Sequence, residues 1–174
     1  MRRITHSGCY NFITLTVVNW IDIFTRIEYK DFIIKSLKHC QKNKGLEIYA
    51  YVIMTNHLHL VVRDIHIPLS DILRDFKGYT SKELFRMINL NEKESRKIWL
   101  LRLFAEAGKE NPLNLNHQIW QNGSYPVALI GNNIIQQKIN YTHQNPVKAG
   151  FVEEASKYFY SSANPLSPLE IIKF

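Results

Sequence analysis

Two histidines flank one apolar residue in His57-Leu58-His59, and Leu60-Val61-Val62 continues the run. Residues two apart in a strand face the same way, so both imidazoles project together while Leu58 enters the opposite, core side. Such a pair can set two nitrogen ligands on one cation; the triplet alone also fits two structural histidines. His66 lies an odd number of residues beyond His59, off that face, and reads as an exposed polar residue. A metallo-hydrolase of the His-x-His-x-Asp-His type would need Asp and His where Val61 and Val62 stand, so that chemistry is disfavoured.

The second reactive cluster is Tyr141-Thr142-His143-Gln144-Asn145-Pro146, at the end of a segment with helical spacing. Tyr141 and Asn145 are four apart and share one helix face, whereas His143 points elsewhere. A helical tyrosine alone is usually core or interface. Beside a cation it is also a competent oxygen nucleophile toward a phosphate that the cation polarises.

The elements that must position these residues follow from periodicity. Tyr10–Val18 is rich in β-branched and aromatic residues and reads as a strand. Asp31–Asn43 reads as a helix stopped by Gly45, and Glu47–Met54 as a second strand. After the polar break Thr55-Asn56, the histidine segment forms a third strand and closes a hairpin. Pro68-Leu69-Ser70 opens a helix with Ser70 as its N-cap, an apolar stripe through Ile72, Phe76 and Leu84, and a basic face of Arg74, Lys77, Lys82 and Arg86. Asn91 and Glu94 have capping-box spacing before a helix that ends near Gly108, and Asn111–Asn116 is a loop. Gln118–Gln121 reads as a short strand before a turn at Asn122-Gly123. Asn133 with Gln136 caps a last helix reaching Asn145, which Pro146 ends or kinks. The tail after Gly150 is expected to pack as irregular structure. This order gives an α+β domain, a ferredoxin-like antiparallel sheet with helices packed on one face. It spans 1–174 as a single unit, with 91–116 as a helical insertion.

Composition bounds the partners. The 174 residues carry 22 Lys+Arg against 15 Asp+Glu, a formal charge of +7, and 45% are hydrophobic. That is enough apolar surface for a core, so global disorder is excluded. The uncharged stretch Ile4–Ile21 contains His6, Asn11, Thr14 and Asn19, which no membrane span would tolerate, and the basic start Met1-Arg2-Arg3 is not followed by a signal-peptide pattern. The chain is therefore read as cytoplasmic, with no membrane partner. Cys9 and Cys40 are isolated and form no zinc knuckle. The basic balance favours a polyanion, since Lys and Arg that neutralise phosphates release counterions.

Together, Tyr51-Val52-Ile53-Met54-Thr55-Asn56-His57-Leu58-His59-Leu60-Val61-Val62 and Tyr141-Thr142-His143-Gln144-Asn145-Pro146-Val147-Lys148-Ala149-Gly150 resemble the single-tyrosine HUH transposases, most of all the REP-associated tyrosine transposases. The similarity extends to Phe12-Ile13-Thr14, Trp120-Gln121 and the Tyr158–Ser162 tail. The resemblance implies a metal-dependent endonuclease and strand transferase acting on single-stranded DNA near a hairpin or imperfect palindrome. By it, Tyr141 forms a 5′-phosphotyrosine link and frees a 3′-OH, while His57 and His59 hold Mg²⁺ or Mn²⁺. Related enzymes carry Gln four residues after the tyrosine as a third ligand; Asn145 stands there, one methylene shorter. His143 is left as a support behind the ligands or a DNA contact. Imidazole pairs intrinsically prefer zinc, nickel or copper, so the choice of Mg²⁺ or Mn²⁺ rests on the resemblance. Arg74, Lys77, Lys82 and Arg86 become a DNA-tracking surface with Tyr79 as a stacking platform, or remain a solvated face. Some relatives exchange the tyrosine helix between subunits, which makes a homodimer compatible. The alternative is a nucleic-acid-binding protein of the same fold without catalysis.

Overall fold

The computed structural model describes residues 8–111 and 116–174. The basic start at Met1–His6 and the middle of the 111–116 loop lie outside them. Four strands, β1 (Asn11–Thr16), β2 (Leu46–Ile53), β3 (His57–Asp64) and β4 (Val127–Ala128), form one sheet in the order β2-β3-β1-β4. Every neighbouring pair is antiparallel. The helices are α1 (Ile27–Lys44), α2 (Leu69–Leu90), α3 (Lys97–Lys109) and α4 (Asn132–Lys148).

Strand parity decides what each face does. Ile13 and Leu15 of β1 and Leu58, Leu60 and Val62 of β3 enter the main core with side chains of α1, α2 and α3. The opposite face carries His57, His59 and Val61. A bulge between Ile48 and Ala50 inserts Tyr49 as an extra residue. It lets Tyr49 and Ala50 both face a second cluster with Val61, which Ile135 and Ile139 of α4 cover. Thus α1 and α2 pack on one face as expected, but α4 lies across the other. Its apolar stripe is matched to the histidine-bearing side, where Val61 and Ala50 would otherwise meet water.

Several boundaries differ from the sequence expectations. α1 starts a turn earlier because Tyr29 is already buried, and Gly45 closes it with φ 68, its N–H reaching the Cys40 carbonyl. Ser70 is not the cap of α2, since Pro68 holds that position without a side-chain bond. Asn133 is likewise inside α4, which opens after Gly131 at φ 91; Pro146 sits in its last turn and the helix runs on to Lys148. Gln118–Gln121 forms only a bridge, Trp120 opposite Val17, with the Gln121 N–H on the Thr16 carbonyl. In the tail, Ser161 bridges Val52 and the Ser162 N–H bonds the Tyr51 carbonyl, which covers the outer edge of β2.

Asn91 ends α2 instead of capping α3, its N–H bonding Met87 and Ile88 carbonyls. Glu94 is buried and serves as an anchor: its carboxylate accepts from Arg26 Nε at 2.6 Å and from the Arg96 N–H at 3.2 Å, with the Tyr29 hydroxyl at 3.4 Å. Burial alone would raise the Glu94 pKa, but these donors outweigh it and the value falls below normal. Glu94→Ala leaves the Arg96 N–H and Tyr29 hydroxyl without this acceptor and is expected to cost about 2 kcal/mol in denaturant unfolding. Because the folded pKa is lowered, this contribution is present above the unfolded carboxylate pKa and fades as pH falls through the folded value. The acid limb of the stability curve should therefore be shallower in the variant.

Candidate active site

His57 and His59 lie side by side on β3, ring centroids 4.7 Å apart. Each is oriented from behind. His57 Nδ1 is 2.7 Å from Asn56 Oδ1; an amide oxygen only accepts, so Nδ1 carries the proton and Nε2 keeps its lone pair. His59 Nδ1 pairs with Thr14 Oγ1 at 2.8 Å across the β1–β3 ladder, where Thr14 stands opposite it. Phe12 stacks on the His59 ring at 5.2 Å. Burial lowers the pKa of His57, against a side-chain interaction with Asn145 that raises it. His59 is pushed down to about 3 by burial, with the charges of His57 and Lys138 adding to the effect. Both rings are thus held neutral near pH 7, the state in which imidazole ligates a cation.

α4 brings the other two residues. Ile135, Ile139, Thr142 and Pro146 are its buried side, so the neighbouring stripe is turned along the histidine face. There the Tyr141 ring meets His59 edge-on at 5.4 Å and Phe12 at 5.7 Å, and the ring is 39% exposed. Asn145 lies near enough to His57 for its side chain to act on that ring. The four residues His57, His59, Tyr141 and Asn145, separated by up to about half of the chain, form one constellation. His143 does not join it. Its Nε2 bonds Ser162 Oγ at 2.8 Å, and Ser162 also receives the Tyr51 N–H at 2.9 Å, so His143 ties α4 to β2 and the tail.

Two lysines extend this stripe. Lys138 Nζ lies 4.8 Å from the Phe12 centroid and 5.2 Å from that of Tyr141, and Lys148 Nζ lies 5.6 Å from Tyr141. The spacing 138, 141, 145, 148 is a single helix face, and that signal was available in the sequence. On the other side of the pair, Trp20 approaches His57 at 6.1 Å. Among the described residues no three His, Cys, Asp or Glu side chains cluster as a metal site. A cation here would depend on two imidazoles and one amide.

The basic residues of α2 behave unequally. Arg74 pairs with Asp71 at 2.6 Å and Asp75 at 3.0 Å, and Arg86 pairs with Glu83 at 2.9 Å. Lys77 donates to the carbonyls of Gln121 at 2.7 Å and Gly123 at 2.6 Å, and burial pulls its pKa down to about 8. It pins the 121–123 loop. Lys82 is exposed. Arg74, Lys77 and Lys82 line a cleft of about 680 Å³ whose far wall is the Asn116–Ser124 segment. Gln121–Ser124 also borders a recess over Phe12, Thr14 and Thr16, next to the histidine pair. Tyr79 is instead turned toward α1, its ring 5.9 Å from Phe32.

Fold and site define an α+β protein that sets two imidazoles of a central strand against a phenol and an amide of one helix. The chain belongs to the transposase IS200-like family, whose pattern matches residues 6–118. That stretch contains the histidine pair; Tyr141 and Asn145 lie beyond it. Among solved structures, a REP-associated tyrosine transposase bound to a REP hairpin is similar over 100% of this chain and 93% of its own, at 19% identity and TM-score 0.64. A likeness at that identity shows the fold. A putative transposase from Deinococcus radiodurans R1 is similar over 82% of this chain and 96% of its own, at 15% identity; its TM-score of 0.47 is too low to carry argument. No curated protein matches the chain. Among the described residues, no helix is long and apolar enough to cross a membrane.

Proposed function

We propose that this chain cuts and rejoins single-stranded DNA beside a hairpin, using Tyr141 as nucleophile. The observation that carries the reading is the convergence of Tyr141 and Asn145 of α4 on His57 and His59 of β3. The Tyr141 oxygen attacks a backbone phosphorus, the phenol proton is lost, and the bond from phosphorus to O3′ breaks. The departing O3′ takes up a proton, and the 5′-phosphate remains on the tyrosine. Reversal on another 3′-OH rejoins the strand. Tyr141 stands beside the histidines of its own chain, which supports a site completed by one subunit.

Two imidazoles held neutral on β3 and an amide on the adjoining face of α4 fit a divalent cation. His57, His59 and Asn145 would hold a Mg²⁺ or Mn²⁺ ion, which would supply positive charge to the phosphate oxygens. Lys138 and Lys148 add fixed positive charge around the tyrosine. The REP-associated transposase that shares this fold is bound to a REP hairpin. Hairpin-bearing DNA is accordingly the partner class we assign here, with Lys82 of the α2 cleft and Lys138 and Lys148 of α4 as the charges that meet its backbone.

The test is covalent capture: unmodified protein, Mn²⁺ and a single-stranded oligonucleotide carrying a hairpin-forming imperfect palindrome should yield a protein–DNA adduct stable to denaturant. Binding without adduct under these conditions would favour the non-catalytic reading. Salt dependence apportions the charges. Lys82→Ala, Lys138→Ala and Lys148→Ala should each lower the slope of log affinity against log salt by roughly 0.7 on single strands. Lys77→Met should leave that slope nearly unchanged, since its ammonium is bonded to protein carbonyls, and Arg74→Ala should change it little because two aspartates already offset its charge.

A further inference from the structure

Trp20 is a large apolar side chain left 60% exposed at the rim of the site. Its conformation is costly. Asn19 at φ 53 and Trp20 at φ 55 are consecutive non-glycine residues in the left-handed region. They are held there by bonds to the turn that carries the histidines. The Asn56 side-chain amide donates to the Trp20 carbonyl at 3.2 Å, and the Val17 N–H donates to the Asn56 carbonyl at 2.9 Å. The same Asn56 accepts from His57 Nδ1 at 2.7 Å. One residue therefore orients His57 and holds the Trp20 backbone, which sets the indole beside the reacting centre. An exposed tryptophan gains little from this placement in the free protein. A nucleobase has the flat π-face that would cover it.

The rings stand in sequence, Tyr141, His59, His57 and Trp20, with successive centroid separations of 5.4, 4.7 and 6.1 Å. In an in-line displacement the attacking and leaving oxygens lie on opposite sides of phosphorus. With the phosphate over the histidine pair and Tyr141 entering from the His59 end, O3′ departs toward His57. We propose that Trp20 stacks on the base of the nucleotide immediately 5′ of the cut, the one that acquires the free 3′-OH. By holding this base it keeps the 3′-OH in place for rejoining. The proposal rests on the cleavage reading above and adds a positioning residue to it.

The experiment is a double-mutant cycle on binding. The cut is first mapped from the adduct that unmodified protein forms with the palindrome oligonucleotide. Affinities are then measured in the Tyr141→Phe background, with and without Trp20→Ala, for the intact oligonucleotide and for one with an abasic site 5′ of the cut. Each single change should weaken binding about fivefold or more, the affinity equivalent of stacking one base. The two together should weaken it little further. Trp20→Phe should restore most of the loss, and 2-aminopurine at the 5′ position should be quenched by the protein with Trp20 and not by the alanine variant. A melting temperature matching the parent excludes a folding defect. Additive losses, or equal quenching with alanine, overturn the stacking proposal while leaving Tyr141 chemistry standing. Absence of any adduct from unmodified protein overturns the cleavage reading and this proposal with it.

Discussion

Tyr141→Phe is expected to abolish the covalent DNA adduct, a loss of at least about a thousandfold, while hairpin DNA still binds within a few-fold. The ring makes its contacts with its edges and faces, against His59, Phe12, Lys138 and Lys148, and phenylalanine reproduces them. Only the oxygen is removed. The phenol is part-exposed, so the change should move stability by less than about 0.5 kcal/mol. Denaturing gels of labelled oligonucleotide read the adduct; retention titrations read binding. Other tyrosines are poor substitutes. The Tyr158 hydroxyl donates to the Ile53 carbonyl at 2.9 Å and that of Tyr160 to Asp31 at 2.8 Å. Burial pushes the Tyr158 phenol up to about 12, and burial with the Asp31 bond raises Tyr160 as well. Tyr125, 79% exposed and beside the recess over Phe12 and Thr14, is the competitor to examine. A denaturant-stable adduct from the phenylalanine variant would move the nucleophile there.

The site was legible in sequence where it obeys a period. Two-residue alternation places His57 and His59 together with Leu58 in the core, and four-residue spacing places Tyr141 over Asn145. The antiparallel order was legible for the same reason. Features that depend on a distant partner were not. The charge of the α2 face is the exception, since Asp71, Asp75 and Glu83 lie within three residues of Arg74 and Arg86 and their pairing was available in the helical spacing. The role of Lys77 depends on carbonyls more than forty residues away. Val61 has the parity of His59, so the sequence shows that the histidine face is partly apolar, but not that α4 covers it. Trp20 belongs to no periodic element. Its position is set by left-handed backbone and by bonds to Asn56, which composition does not encode.

Chelation of divalent cations should remove cleavage, Mn²⁺ or Mg²⁺ should restore it, and His57→Ala or His59→Ala should lower the rate by about a hundredfold or more even at saturating metal. The two substitutions differ in their side effects. His59 is buried between Phe12 and Tyr141, so alanine there also loosens the seat of Tyr141. His57 is less buried, and its loss frees Asn56 while leaving that seat intact. Asn145 separates ligand chemistry from packing. Asn145→Gln keeps an amide oxygen and adds one methylene of reach, so it should retain substantial cleavage with an altered metal requirement. Asn145→Ala removes the oxygen and should raise the metal concentration needed for half-maximal rate, while DNA binding without metal stays near the parent value. That split distinguishes a ligand from a residue that only braces His57, whose loss would depress the rate at every metal concentration. Cleavage at full rate in excess chelator would overturn the metal assignment and leave Lys138 and Lys148 as the fixed charges to test next.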